Sequence, residues 1–181
     1  MSRRPDAIRN DERIVAAALQ ELALDPNVAM DQLAAAAGVG RATLYRRFPS
    51  RDELVATLRD LARVEALQAI RGARLGEGTA TAALARLVAA VLPVADRYAV
   101  LAHARARVRE PDVELVRPVV ALLRRGRRSG EFAAQPGPEW WLAVMRAHFE
   151  QAAAAVAGGM PLDEAVRLCT AALLDGLRGR S

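Results

Sequence analysis

The 181-residue chain contains no lysine; all 26 of its basic residues are arginine. It holds one cysteine, Cys169. A single thiol closes no disulfide within the chain and builds no cysteine metal cage, which fits a reducing compartment. Aromatic residues make up only 4%, and alternating runs rich in valine, isoleucine and threonine are missing. Strands favour those residue types, so a sheet protein is disfavoured before any motif is read. Long apolar stretches are missing too. The longest unbroken runs, among them Leu87 to Leu92, Trp140 to Met145 and Ala152 to Ala157, have six residues each. A membrane-spanning helix needs ~20. The opening MSRRPDAIRNDER is polar and charged, without the apolar centre of a signal peptide. The expected setting is the cytoplasm, with no membrane partner.

What is present is helical material. Hydrophobic residues reach 52% and charged residues 26%, and 40 residues are alanine, the best helix former. That balance is globular rather than disordered. The length suits one domain, or a small one joined to a larger one. The formal net charge is +5, a modest pointer to an acidic polymer. Arginine-only usage beside abundant alanine also reads as the bias of a GC-rich genome.

Glycine and proline cut the chain into helix-sized pieces. Arg9 to Leu24 carries Ile14, Ala18 and Leu22 at i, i+4, i+8, with Val15 and Leu19 beside them, which predicts one buried face. Asp25-Pro26-Asn27 ends it. Met30 to Ala37 and Gly40 to Arg47 read as two short helices, stopped by Gly38 and Pro49. Ser50 and Glu53 form a capping-box pattern opening a fourth helix, which runs to about Ile70. Gly72, Gly76 and Gly78 mark a break, so the expected domains are residues 1–70 and 71–181. Thr79 to Arg109 is predicted helical with a kink or break at Pro93. Asp112 to Arg128, Glu139 to Ala157 and Leu162 to Leu177 complete an all-α chain.

The informative stretch is MDQLAAAAGVGRATLYRRFPSRDEL, Met30 to Leu54. Two short helices joined by a glycine-containing turn meet the requirement of a helix-turn-helix. Leu33, Ala34 and Leu44 are expected inside, and the small Ala36 and Ala37 to let the helices approach. Residues 38–51 carry Arg41, Arg46, Arg47 and Arg51 and no acid. A second helix of this kind can enter a major groove. Arg41 suits a bidentate contact to guanine, and Thr43 a phosphate or a thymine methyl. Tyr45, Arg46 and Arg47 suit the backbone. An arginine cluster on a helix is otherwise simply a solvated face.

This stretch resembles the tetracycline-repressor (TetR) family of regulators. The matching residues are Leu33-Ala34, Ala37-Gly38-Val39, Thr43-Leu44-Tyr45, Phe48-Pro49-Ser50 and Asp52-Glu53-Leu54, with Ile14 and Ala17-Ala18 before them. The resemblance covers residues 9–68. It implies an N-terminal three-helix DNA-binding domain, a C-terminal helical domain for ligand binding and dimerisation, and palindromic double-stranded operator DNA as partner. It places Thr43, Tyr45 and Arg47 at phosphate-contacting positions, and Arg41, Ala42 and Arg46 where base or backbone contacts are made. Arg51 stands where the family often has lysine. Ala29 replaces the usual Ser or Thr cap of the second helix, at a cost on the order of 1 kcal/mol, which Asp31 in the first turn is expected to offset. Gly40 replaces a common serine, and Arg47 a common histidine.

The C-terminal half is less legible. Leu162, Ala165, Val166, Cys169, Leu173 and Leu177 follow helical spacing, joined by the small Ala172 and Gly176. That stripe serves either an intramolecular core or a close partner helix, as do Ala143, Ala147 and Ala154. The resemblance makes the last two helices a homodimer interface. Tyr98, His103, Trp140 and Trp141 are candidate ligand contacts, with Met145, His148 and Phe149. They point to a hydrophobic or aromatic effector. Arg124, Arg125, Arg127 and Arg128 read as a solvated helix end. No metal-ligand spacing, phosphate-cradling loop or nucleophile motif is found, so no catalytic residue, metal or cofactor is expected. The expectation is a ligand-responsive DNA-binding regulator, a repressor in the first instance. The alternative is a helical small-molecule-binding or interaction protein that does not read DNA.

Overall fold

The computed structural model describes residues 3–102 and 112–178, and every regular element among them is helical. In chain order these are α1 (Arg3–Leu24), α2 (Met30–Ala36), α3 (Arg41–Arg47) and α4 (Arg51–Gly72), then α5 (Ala80–Arg97) and a 3-10 turn (Ala99–Ala102). α6 (Val113–Arg128), α7 (Pro138–Ala157) and α8 (Leu162–Arg178) follow. The chain divides into two compact units, and the division falls inside α4, between Leu61 and Ala62.

In the first unit α1 packs on α2, and α2 on α3. The predicted stripe of Ile14, Ala18 and Leu22 is buried, as are Leu33, Ala34, Leu44 and Phe48. Ala37 is buried but Ala36 faces solvent, so only one of the two small residues expected at the α2–α3 approach lies there. α2 ends in a Schellman turn: Gly38 has φ +61°, Val39 N–H donates to Ala34 O, and Gly38 N–H to Ala35 O. Ala29 supplies no side-chain cap to α2. Asp31 lies in the first turn as expected, and Gln32 adds to it: the Ala29 N–H donates to Gln32 Oε1 at 3.2 Å. At α4 the hydroxyl half of the predicted box forms, with Glu53 N–H donating to Ser50 Oγ at 3.2 Å.

In the second unit α5 is central and touches α6, α7 and α8. Ala83, Leu84, Leu87 and Val88 form its inner face. α8 contributes Ala165, Cys169, Leu173 and Leu177, each four residues from the last, which makes one straight buried stripe. Burial in this stripe pushes the Cys169 thiol up to about 11. Pro93 does not break α5, which runs on to Arg97. Proline leaves the Ala89 carbonyl without its helical donor, and Ala89 is exposed, so water can serve it. The predicted helix to Arg109 gives way instead at Tyr98, and residues 103–111 lie outside the described part.

Two loops of this unit are held by charged side chains. Arg86 donates from Nε to Ala73 O and from Nη2 to Arg74 O and Glu77 O, closing the α4–α5 connection. Glu131 accepts from the Ala80 and Thr81 N–H groups at 3.0 and 2.9 Å, and so caps α5 from outside. Those bonds hold its carboxyl down to about 2, against an ordinary 4.5. A depressed carboxylate stabilises the fold fully above its unfolded value and loses that contribution as pH falls through the folded one. Thermal melts of the wild type should therefore fall more steeply between pH 4.5 and 2 than those of Glu131→Gln. Gly126 carries a second test. A Cβ there would lie 2.1 Å from the Phe132 ring, so Gly126→Ala should cost about 1–3 kcal/mol in urea unfolding with an unchanged m-value.

Candidate nucleic-acid interface

A seven-residue helix has too few internal hydrogen bonds to stand alone. α3 exists because Leu44 is fully buried against its neighbours and the Schellman turn at Gly38 fixes its direction of entry. Gly40 is its N-cap, in extended conformation. With 100° between successive residues, Ala42 and Arg46 point directly away from Leu44, and Tyr45 lies beside them. All three are exposed, Tyr45 by 41%, and Thr43 is half-buried.

The arginines of this surface differ in their surroundings. Arg41 pairs with Asp31 at 2.5 Å, and the second carboxylate oxygen of Asp31 is buried without a partner. Arg47 Nε donates to Asp11 at 3.0 Å, and its guanidinium lies 5.2 Å from the Phe48 ring centroid. Arg46 has no ionic partner among the described residues. Arg51 is half-buried and its Nη2 donates to Pro26 O, so it ties the start of α4 to the α1–α2 loop. Arg13, which the sequence did not single out, donates to Gly38 O at 3.2 Å. Asp11 was missed as well, and Asp31 was singled out for the first turn of α2 but not as a partner of Arg41. They stand outside the acid-free window of residues 38–51, and folding brings them to it.

The seven candidate ligand contacts differ in their surroundings. Trp141 and Met145 are part of the second unit's core, and Phe149 packs against it. Tyr98 is buried, and its hydroxyl donates to Glu65 at 2.7 Å. Burial and that bond raise it to about 12. His148 is half-buried, with Nδ1 2.8 Å from Val144 O. Trp140 is 60% exposed, and His103 lies outside the described residues. A groove elsewhere in this unit, bordered by Ile70, Arg71, Leu122 and Arg125, contains none of them. Among the described residues, no three His, Cys, Asp or Glu side chains converge as a metal site. No described helix is long and apolar enough to cross a membrane.

A short basic helix held outward by a glycine turn defines a helix-turn-helix protein. Residues 14–58 match the family model of the bacterial regulatory proteins of the tetR family. The chain is 28% identical to the TetR-like transcriptional regulator LfrR from Mycobacterium smegmatis, solved in complex with proflavine. That likeness covers 96% of this chain and 99% of that one, with a TM-score of 0.74. A second LfrR structure matches at 27% identity over 93% and 99% of the two chains, with a TM-score of 0.68. MbdR from Azoarcus sp. CIB, at 16% identity, shares the fold over 93% of this chain and 98% of its own, with a TM-score of 0.75. No curated protein matches the chain. The N-terminal domain is thus that of the tetR family, and the fold is that of TetR-like transcriptional regulators over nearly the whole length.

The geometry separates a structural arginine from a presented one. Arg51→Ala should lower stability by about 1–2 kcal/mol, since it removes a charge-assisted bond to a loop carbonyl. Arg46→Ala should change it by less than about 0.5 kcal/mol. Parallel denaturant titrations of the two variants check this.

Proposed function

We propose that the chain is a homodimeric, ligand-responsive transcriptional repressor that reads a palindromic operator with α3. The observation that carries this reading is the division of α3: Leu44 is fully buried while Ala42, Tyr45 and Arg46 face solvent. In a major groove Arg46 reaches a base edge and Ala42 meets a thymine methyl. Arg41, Thr43, Tyr45 and Arg47 hold the sugar-phosphate backbone. Arg41 and Arg47 exchange Asp31 and Asp11 for phosphates as they do so. Arg51 contributes charge but is committed to Pro26.

Residues 1–70 form the reading domain, and residues 71–181 the effector and dimer domain. Support for the dimer comes from α7 and α8, which pack on each other and leave Trp140, Ala143, Ala147 and Leu168 exposed on their outer faces. Small and apolar residues on two adjacent helices suit a four-helix interface with a second copy. The effector is a small hydrophobic or aromatic molecule. The LfrR complex with proflavine supports this by similarity, with Tyr98, Trp141 and Met145 as apolar walls. The effector favours a dimer geometry in which the two α3 helices no longer match half-sites one turn apart, and the operator is released. The protein works in the cytoplasm by binding and not by catalysis.

Mobility shifts of the full chain on its own upstream intergenic DNA test this reading. Binding should be sequence-selective and fall steeply with salt. Arg46→Ala should weaken it at least about fivefold and relax specificity at one position. Arg47→Ala should weaken all sequences alike and reduce the salt slope by about 1. Asp31→Asn removes a negative charge that competes with phosphate for Arg41, and should tighten binding about two- to fivefold at low salt. Indifference to both arginine substitutions would overturn the reading and leave a helical ligand-binding protein.

A further inference from the structure

The arginines closing α6 are not one solvated end. Arg124 is exposed, while Arg127 donates to Pro136 O in the next loop. Arg125 lies three residues after Leu122, on the inner stripe, and turns inward. Its Nη1 donates to the Gly76 carbonyl at 2.6 Å. Its Nε and Nη2 are buried and have no hydrogen-bond partner. Those two nitrogens form one edge of the planar guanidinium, with parallel N–H bonds spaced to meet both oxygens of a carboxylate. Arginine cannot shed its proton to escape the mismatch, so the unmet pair calls for an acceptor.

Arg125 also lines an open groove of about 440 Å³. Ligand sites commonly span about 300–1,000 Å³. Its charged border is Arg71, Arg125 and Arg128, and its apolar floor includes Ile70, Leu75 and Leu122. No acidic side chain lines it. None of the three arginines is ion-paired among the described residues.

We infer that this groove binds an organic carboxylate with an apolar body. The head group lies along the Nε–Nη2 edge of Arg125, Arg71 and Arg128 add charge, and the body covers Ile70, Leu75 and Leu122. Nε and Nη2 of Arg125 are closed to solvent in this structure, so the head group reaches them through a side-chain shift of Arg125 or of the exposed Arg71 and Arg128. The occupant sits against the α4–α5 loop, which Arg125 holds at Gly76 and Arg86 at Ala73, Arg74 and Glu77. Occupancy is read on the protein alone, so its failure and the failure of operator binding are distinguishable.

Isothermal titration of the full chain with octanoate, 1-octanol and inorganic phosphate tests it. Octanoate should saturate one site per chain, with 1-octanol and phosphate each at least about tenfold weaker. Arg125→Lys keeps the charge and the reach to Gly76 but loses the fork, and should weaken octanoate at least about tenfold. The double variant Arg71→Gln/Arg128→Gln changes exposed positions only. It should weaken octanoate several-fold with an unaltered melting temperature, and it decides the matter if Arg125→Lys unfolds. Octanol binding as tightly as octanoate would make the groove merely apolar, and phosphate binding as tightly would make it a generic anion patch. Either result overturns the inference, as does octanoate affinity unchanged in the variants or no saturable binding.

Discussion

The burial of Leu44 is the constraint on which the exposed face of α3 depends. A helix as short as α3 forms only because tertiary packing supplies what its few backbone bonds cannot. The turn that leads into it is one that only a residue comfortable at φ +61° can make without strain. Once Leu44 is fixed, the helical repeat alone decides that Ala42 and Arg46 point outward. The chemistry offered to a groove therefore follows from a hydrophobic contact on the opposite side of the same helix.

Electrostatics then grades that surface. Arg41 and Arg47 each lie against a carboxylate, and both pairs are solvent-exposed. Such pairs contribute little to folding. They lower the local positive potential around Arg41 and Arg47. Arg46 has no such restraint, so it is the cation of α3 most immediately available.

Much of the fold was legible in the sequence. The stripes of Ile14, Ala18 and Leu22 and of Ala165, Cys169, Leu173 and Leu177 turned inward as their spacing requires. Gly38 ended α2 as a glycine stop should. The run from Leu33 to Leu54 carried the tetR resemblance that the family model matches over residues 14–58, because its residues are close in the chain and each has a local task. Contacts between distant residues were not legible. Asp31 and Asp11 reach the basic helix only through the fold, and Glu65 meets Tyr98 from 33 positions away. Arg125 was misread for a different reason. A run of four arginines looks uniformly solvated, yet the position relative to Leu122 already set one of them on the inner stripe. The aromatic residues of α7 were read as one group, although Trp140 and Trp141, being adjacent, are 100° apart on a helix.

Arginine carries out one further task repeatedly in this chain. Arg13, Arg51, Arg86, Arg125 and Arg127 each reach a main-chain carbonyl in or beside a connecting segment, at Gly38, Pro26, the Ala73–Glu77 stretch, Gly76 and Pro136. An ammonium in those places would begin to lose its charge near pH ~10.4. A guanidinium does not discharge in any solvent the protein survives. The connections are thus fastened by groups indifferent to alkalinity, and reagents that acylate or cross-link side-chain amines find no ε-amine on this chain to attack.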